Sequence, residues 1–119
     1  MGDYTLTLLI YSGRENPAVK INKQEFDQLY ELVKKASNNV NDKFLPHLGE
    51  IGFYYQAPGI SIECYSSTGK LEQGNSIRLF AGNESMLKNG FEHFFSHYGG
   101  EDAFALTTIV KKQLFPESI

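Results

Sequence analysis

The stretch INKQEFDQLYELVKKASN, from Ile21 to Asn38, leaves its backbone little choice. Asn22 is a good N-cap, and Glu25 falls at the third helical position, so the two side chains can each satisfy the other's free amide in a capping box. Ile21 and Phe26 are placed to pair as a hydrophobic staple. Phe26, Leu29, Tyr30, Val33 and Ala36 then recur at helical spacing, and Lys34 and Lys35 suit the negative end of the helix dipole. A helix with one apolar stripe must bury that stripe against another layer.

The neighbouring segments supply a sheet for it to cover. In YTLTLLIY (4–11), Tyr4, Leu6, Leu8 and Ile10 alternate with Thr5, Thr7, Leu9 and Tyr11, which predicts a strand whose second face is half apolar, as in the interior of a sheet. IGFYYQ (51–56) and ISIECYS (60–66) read as strands joined by the reverse-turn signal Ala57-Pro58-Gly59. SIRLFA (76–81) is a further strand, and STGKLEQGN before it reads as a long hairpin loop. Asn83 then caps a helix on which Leu87, Phe91, Phe94, Phe95 and Tyr98 share an arc, with Gly99 as its stop. Gly90 inside that helix costs about 1 kcal/mol relative to Ala, which close packing against the sheet would explain. EDAFALTTIVKKQLF (101–115) is read as a third helix, although LTTIV also has strand propensity. The order β-α-β-β-β-α-α predicts an α+β fold: one domain over 1–119, with an antiparallel or mixed sheet of about four strands and two to three helices packed on one face.

Composition narrows the function. Of 119 residues, 41% are hydrophobic, enough for a real core, and 14 acidic against 11 basic residues leave a net charge of -3 with no basic stripe for a phosphate backbone. A nucleic-acid partner is therefore not expected. No apolar run is long enough to span a bilayer, and MGDYTLTLLIYSG lacks the basic start and apolar centre of a signal peptide. Cys64 is the lone cysteine, so no intrachain disulfide is possible. The expected protein is soluble and cytoplasmic, with no membrane partner.

The candidate chemistry is sparse. In Ser12-Gly13-Arg14-Glu15-Asn16-Pro17, glycine permits a positive φ, Asn16 can form an Asx-type turn, and proline holds the asparagine extended. Arg14 is one of two arginines beside nine lysines. Its planar fork could bind an anion or a partner, but the plainer role is a latch onto the fold through Glu63, Glu92 or backbone carbonyls. His93 and His97, four apart on a helix, share a face and could chelate a metal; two exposed histidines are the ordinary explanation, since a structural zinc site wants four protein ligands. Gly69-Lys70 lacks the rest of a phosphate loop. Cys64 alternates with Ile60 and Ile62, which predicts a buried, inert thiol. No local spacing marks catalytic residues, and no cofactor is expected.

The hexapeptide Ser12–Pro17, with Leu48, Gly49, Gly52 and Phe53 further on, resembles an uncharacterised family of small bacterial and fungal proteins. In that family a strand ends in Ser-Gly-Arg-Pro-Asn-Pro and a Leu-Gly-Tyr-Arg-Gly-Phe-like segment follows. Here Glu15 replaces the first proline and Glu50-Ile51 replaces Tyr-Arg. The resemblance implies a recurring scaffold for the loop and no activity. The function expected is a non-enzymatic binding domain, of the inhibitor or immunity type, that meets another protein through Arg14, Glu15, Asn16 and exposed tyrosines (Tyr11, Tyr54, Tyr55, Tyr65). Arginine and tyrosine are residues that anchor interfaces. The alternative is a small-molecule or metal-dependent enzyme using Arg14 with His93 and His97.

Overall fold

The computed structural model of the chain describes residues 3–10, 15–39 and 50–116. The alternation at the start forms β1 (Tyr4–Leu9), and the capped segment forms α1 (Lys23–Lys35). The box closes as its residue types require: Glu25 N–H donates to Asn22 Oδ1 at 2.8 Å, and Asn22 N–H donates to Glu25 Oε1 at 3.0 Å. Phe26, Leu29 and Val33 are buried.

Between these elements lies β2 (Ala18–Ile21), a strand absent from the expected order β-α-β-β-β-α-α. It pairs antiparallel with β1, Leu6 opposite Val19 and Tyr4 opposite Ile21, so the chain runs back along β1 before it enters α1. After α1 come β3 (Gly52–Ala57), β4 (Ile60–Cys64), β5 (Thr68–Gln73) and β6 (Ser76–Ala81), then α2 (Glu84–His97) and α3 (Ala103–Leu114). The fold is α+β, as expected, and among the described residues the antiparallel sheet has six strands, more than the four or so expected, ordered β2-β1-β3-β4-β5-β6.

Strand β5 corrects the expected hairpin loop at 68–73. Its one glycine has a positive role: Gly69 pairs with Phe80 across the strands, and a Cβ at Gly69 would stand 2.2 Å from the Phe80 ring. The ring lies flat over the bare backbone, which a strand-interior glycine invites. A second expectation, that Gly99 stops α2, also changes. The helix ends at Tyr98 in an extended conformation, its N–H bonded to Phe94 O, and Gly99 has no positive φ.

The three helices pack on one side of the sheet. Phe26, from α1, meets Tyr4 and Tyr55 edge-on, and Phe94 of α2 is fully buried. Gly90 of α2 sits against Phe53 of β3, where a Cβ would come within 2.5 Å of the ring, the close packing expected of a glycine inside a helix. Phe115 then joins α3 to α2 by an edge contact with Phe91.

A guanidinium clasp does exist, at Arg78 on the helix side of β6. It donates to Val33 O at 2.8 Å, to Asn38 Oδ1 at 2.8 Å, and to Ala36 O. Ala36 O, just past the end of α1, and Val33 O, which also accepts the Ala36 N–H at 3.1 Å, are thereby held with the Asn38 side chain. The same stretch then runs beside β6, with Asn39 N–H on Leu79 O at 3.0 Å and Ala81 N–H on Ser37 O at 2.8 Å. One sheet edge is thereby covered. At the other, β2 is four residues long and carries exposed Lys20, a short charged edge that resists pairing with another chain.

Candidate functional site

Strand alternation gives the sheet a second face, on the side away from the helices. Its middle row runs across the strands as Ala18, Thr7, Tyr54, Glu63, Lys70 and Leu79. The next row is Lys20, Thr5, Gln56, Ser61, Glu72 and Ile77. Apolar and polar side chains are mixed: Ile77 is 66% exposed, while Leu9, Tyr54 and Leu79 are half-buried. Lys70 Nζ lies 3.1 Å from Glu72 Oε1 and faces Glu63 across the strands. Tyr54, Gln56, Ser61 and Glu72 border a shallow open depression of about 350 Å³ near the turn between β3 and β4.

The structure divides the expected tyrosines. Tyr54 is on the bare face, partly exposed. Tyr55, its neighbour in sequence, points to the other side and is fully buried, so its expected exposure is corrected. Tyr65 is corrected as well: it is 8% exposed, its ring lies over Gly52, and its hydroxyl donates to Glu63 Oε2 at 2.7 Å. Burial, and then the Glu63 carboxylate, raise the Tyr65 pKa, so the hydroxyl is kept as a neutral donor. Tyr65 therefore belongs to the floor of this face. Tyr11 and Arg14, with the Arg14 latch, lie outside the described residues.

Glu15 is exposed, and Asn16 is partly buried. The Asn16 side chain reaches across to the residue that follows β1. Its Oδ1 accepts from Ile10 N–H at 3.0 Å, and Leu8 N–H donates to Pro17 O at 3.0 Å. The two arms of the loop are thus tied together where it leaves the sheet, beside Leu9.

The histidines go to different places. His93 is 7% exposed, which corrects the expected surface position, whereas His97 is exposed. His93 Nε2 is 2.9 Å from Gln28 Oε1, and Nδ1 is 2.9 Å from the Tyr55 hydroxyl. A carbonyl oxygen only accepts, so Nε2 carries the proton; in the neutral ring Nδ1 then accepts from Tyr55. Burial lowers the His93 pKa, against the pull of Glu25 and Glu92, and favours this neutral form. His97 Nε2 meets both oxygens of Glu25, at 2.9 and 3.0 Å, and so ties α2 to the capping box of α1. Each histidine is thus engaged in joining α2 to its neighbours. Among the described residues no group of three or more His, Cys, Asp or Glu is set to hold a metal ion. Burial also raises the pKa of the Cys64 thiol well above its ordinary value, and the thiol is buried as expected.

No family model, curated protein or solved structure matches the chain. Among the described residues no helix is long and apolar enough to cross a membrane.

Proposed function

We propose that the protein is a non-enzymatic interaction domain that binds another protein through the bare face of its sheet, in the manner of an inhibitor or immunity protein. The observation that carries this reading is the row Thr7, Tyr54, Glu63, Lys70 and Leu79, with Ile77 and Leu9 beside it. Partly exposed aliphatic groups at Leu9 and on β6 with a tyrosine on β3, and charges interspersed between them, have the make-up of a protein interface. Two carboxylates, Glu63 and Glu72, stand there with two lysines, Lys20 and Lys70, which fits a partner whose facing surface carries both signs of charge. The loop carrying Glu15 and Asn16 borders the Leu9 end of the face as a rim. The enzymatic alternative gains nothing from His93, whose ring nitrogens are both committed inside the fold.

The test is affinity capture from the source cells with the wild type and with the double variant Tyr54→Thr, Leu79→Thr. The reading expects one prey protein retained by the wild type and lost by the variant, with the melting temperatures matching. A prey held equally by both, or none held by either, overturns it.

A further inference from the structure

Helix α3 is apolar on two sides. Leu106 and Val110 point inward and are buried, whereas Phe104 is 86% exposed and Ile109 43% exposed. Ala105 and Thr108, also exposed, complete the outward face and are small enough to let another helix approach closely. A phenylalanine almost wholly in water is costly, and an apolar patch of this kind marks a contact surface.

The ends of the helix say which contact. Glu101 and Asp102 stand just before its first turn, and Lys111 and Lys112 are in its last. Asp102 accepts from the Tyr98 hydroxyl. Among the described residues none of Glu101, Lys111 and Lys112 forms a salt bridge, although Lys23, Lys34, Lys70 and Lys88 all do.

We infer that the protein forms a two-fold dimer in which α3 packs antiparallel on α3 of a second copy. With the axis passing between Leu106 and Thr107, each Phe104 stands level with Ile109 of the second copy, and Ala105 with Thr108. In the same register Glu101 comes level with Lys112, and Asp102 with Lys111. The face is therefore self-complementary, as a two-fold interface must be. A parallel pairing would set lysine against lysine and acid against acid. The contact lies on the helical side, so the dimer leaves both bare sheet faces free, and it does not rest on the function proposed above.

Sedimentation equilibrium on the purified chain tests this. A reversible monomer–dimer equilibrium is expected, and Phe104→Glu weakens it by about thirtyfold or more while leaving the melting temperature unchanged. The second test mixes two variants. Glu101→Lys and Lys112→Glu each place like charges at both ends of their own homodimer and weaken it several-fold. Mixed in equal amounts they restore opposite charges at both ends, so the heterodimer forms more tightly than either homodimer. A wild type that stays monomeric to millimolar concentration overturns the inference, as does a Phe104→Glu protein that still dimerises or a mixture no tighter than its parts. Photocrosslinking from position 104 to a different protein, with no self-crosslink, assigns the face to that protein and overturns the dimer.

Discussion

The two faces of the sheet are built from alternate residues of the same strands, and they are held by different physics. On the helix side Leu6, Leu8, Phe53, Tyr55, Ile62 and Phe80 are fully buried, and the polar atoms there are paired, Tyr55 with His93 and His93 with Gln28. On the bare side Thr7, Tyr54, Glu63, Lys70 and Leu79 are in partial contact with solvent. Sealing one side of an antiparallel sheet is enough to fold it. The other side is then free to carry side chains chosen for a partner, and substitutions there do not have to be reconciled with a core.

Truncating each face measures the difference between them. Phe53→Ala empties a fully buried site under Gly90 and is expected to cost about 3–5 kcal/mol. Leu79→Ala on the bare face should cost under about 1 kcal/mol. Urea unfolding followed by circular dichroism reads both, and equal losses would mean that the bare face is a second core. Arg78→Ala comes next. Removing a charged donor from Val33 O, Ala36 O and Asn38 Oδ1 should cost about 1.5–3 kcal/mol, because three hydrogen bonds to a charged group that tie β6 to the end of α1 are lost. Arg78→Lys should recover only a small part, since an ammonium group lacks the planar fork. Full recovery by lysine would show that charge alone suffices.

How much of this was legible in advance depended on how local the cause was. The capping box was readable because Asn22 and Glu25 need only each other. Helix α2 and its Asn83 cap were readable for the same reason, and Gly90 pointed correctly to close packing. Strand β5 was not readable: TGKLEQ has one aliphatic residue, and the reason for Gly69 is a ring on another strand. Strand β2, at four residues, is too short to show a period. The tyrosines teach a different lesson. Tyr54 and Tyr55 are consecutive in a strand, so period-two geometry already forbade both from facing water. Which one faced in was decided by parity with Phe53, and that signal was present in the sequence. For the candidate face, the alternation of Thr5, Thr7 and Leu9 marked one strand, but Lys70, Glu72, Ile77 and Leu79 joined it only through pairing with residues elsewhere in the chain.

Acid should act on the covered side first. Burial leaves His93 with a pKa lower in the folded than in the unfolded chain. The unfolded chain therefore binds the extra proton first, so the contribution is complete above the unfolded value of about 6.5 and is lost as pH falls from there toward the folded value. Glu25 follows at lower pH. Burial alone would raise its pKa, but the hydrogen bond from Asn22 and the contact with His97 outweigh it and lower the net value. That stability is present above the unfolded value of about 4.3 and goes as pH falls through the folded one. Unfolding free energies measured from about pH 7.5 down to pH 5 should decline, and His93→Gln should flatten the decline while lowering the plateau. An unchanged slope in the variant would assign the acid sensitivity to another group.

The smallest expected effect is the most telling one for the bare face. Tyr54→Phe removes a hydroxyl from a partly exposed ring between Thr7 and Glu63, and the stability should move by less than about 0.5 kcal/mol. The same atom removed next door, in Tyr55→Phe, leaves His93 Nδ1 without its donor in the protein interior and should cost about 1–3 kcal/mol. The two variants differ by one position and lose the same atom, so intrinsic strand propensity largely cancels between them. What remains is the difference between a hydroxyl used by the fold and one the fold leaves available. If Tyr54→Phe were as costly as Tyr55→Phe, the hydroxyl on the bare face would also be serving the fold, and the case for a partner at Tyr54 would lose its physical basis.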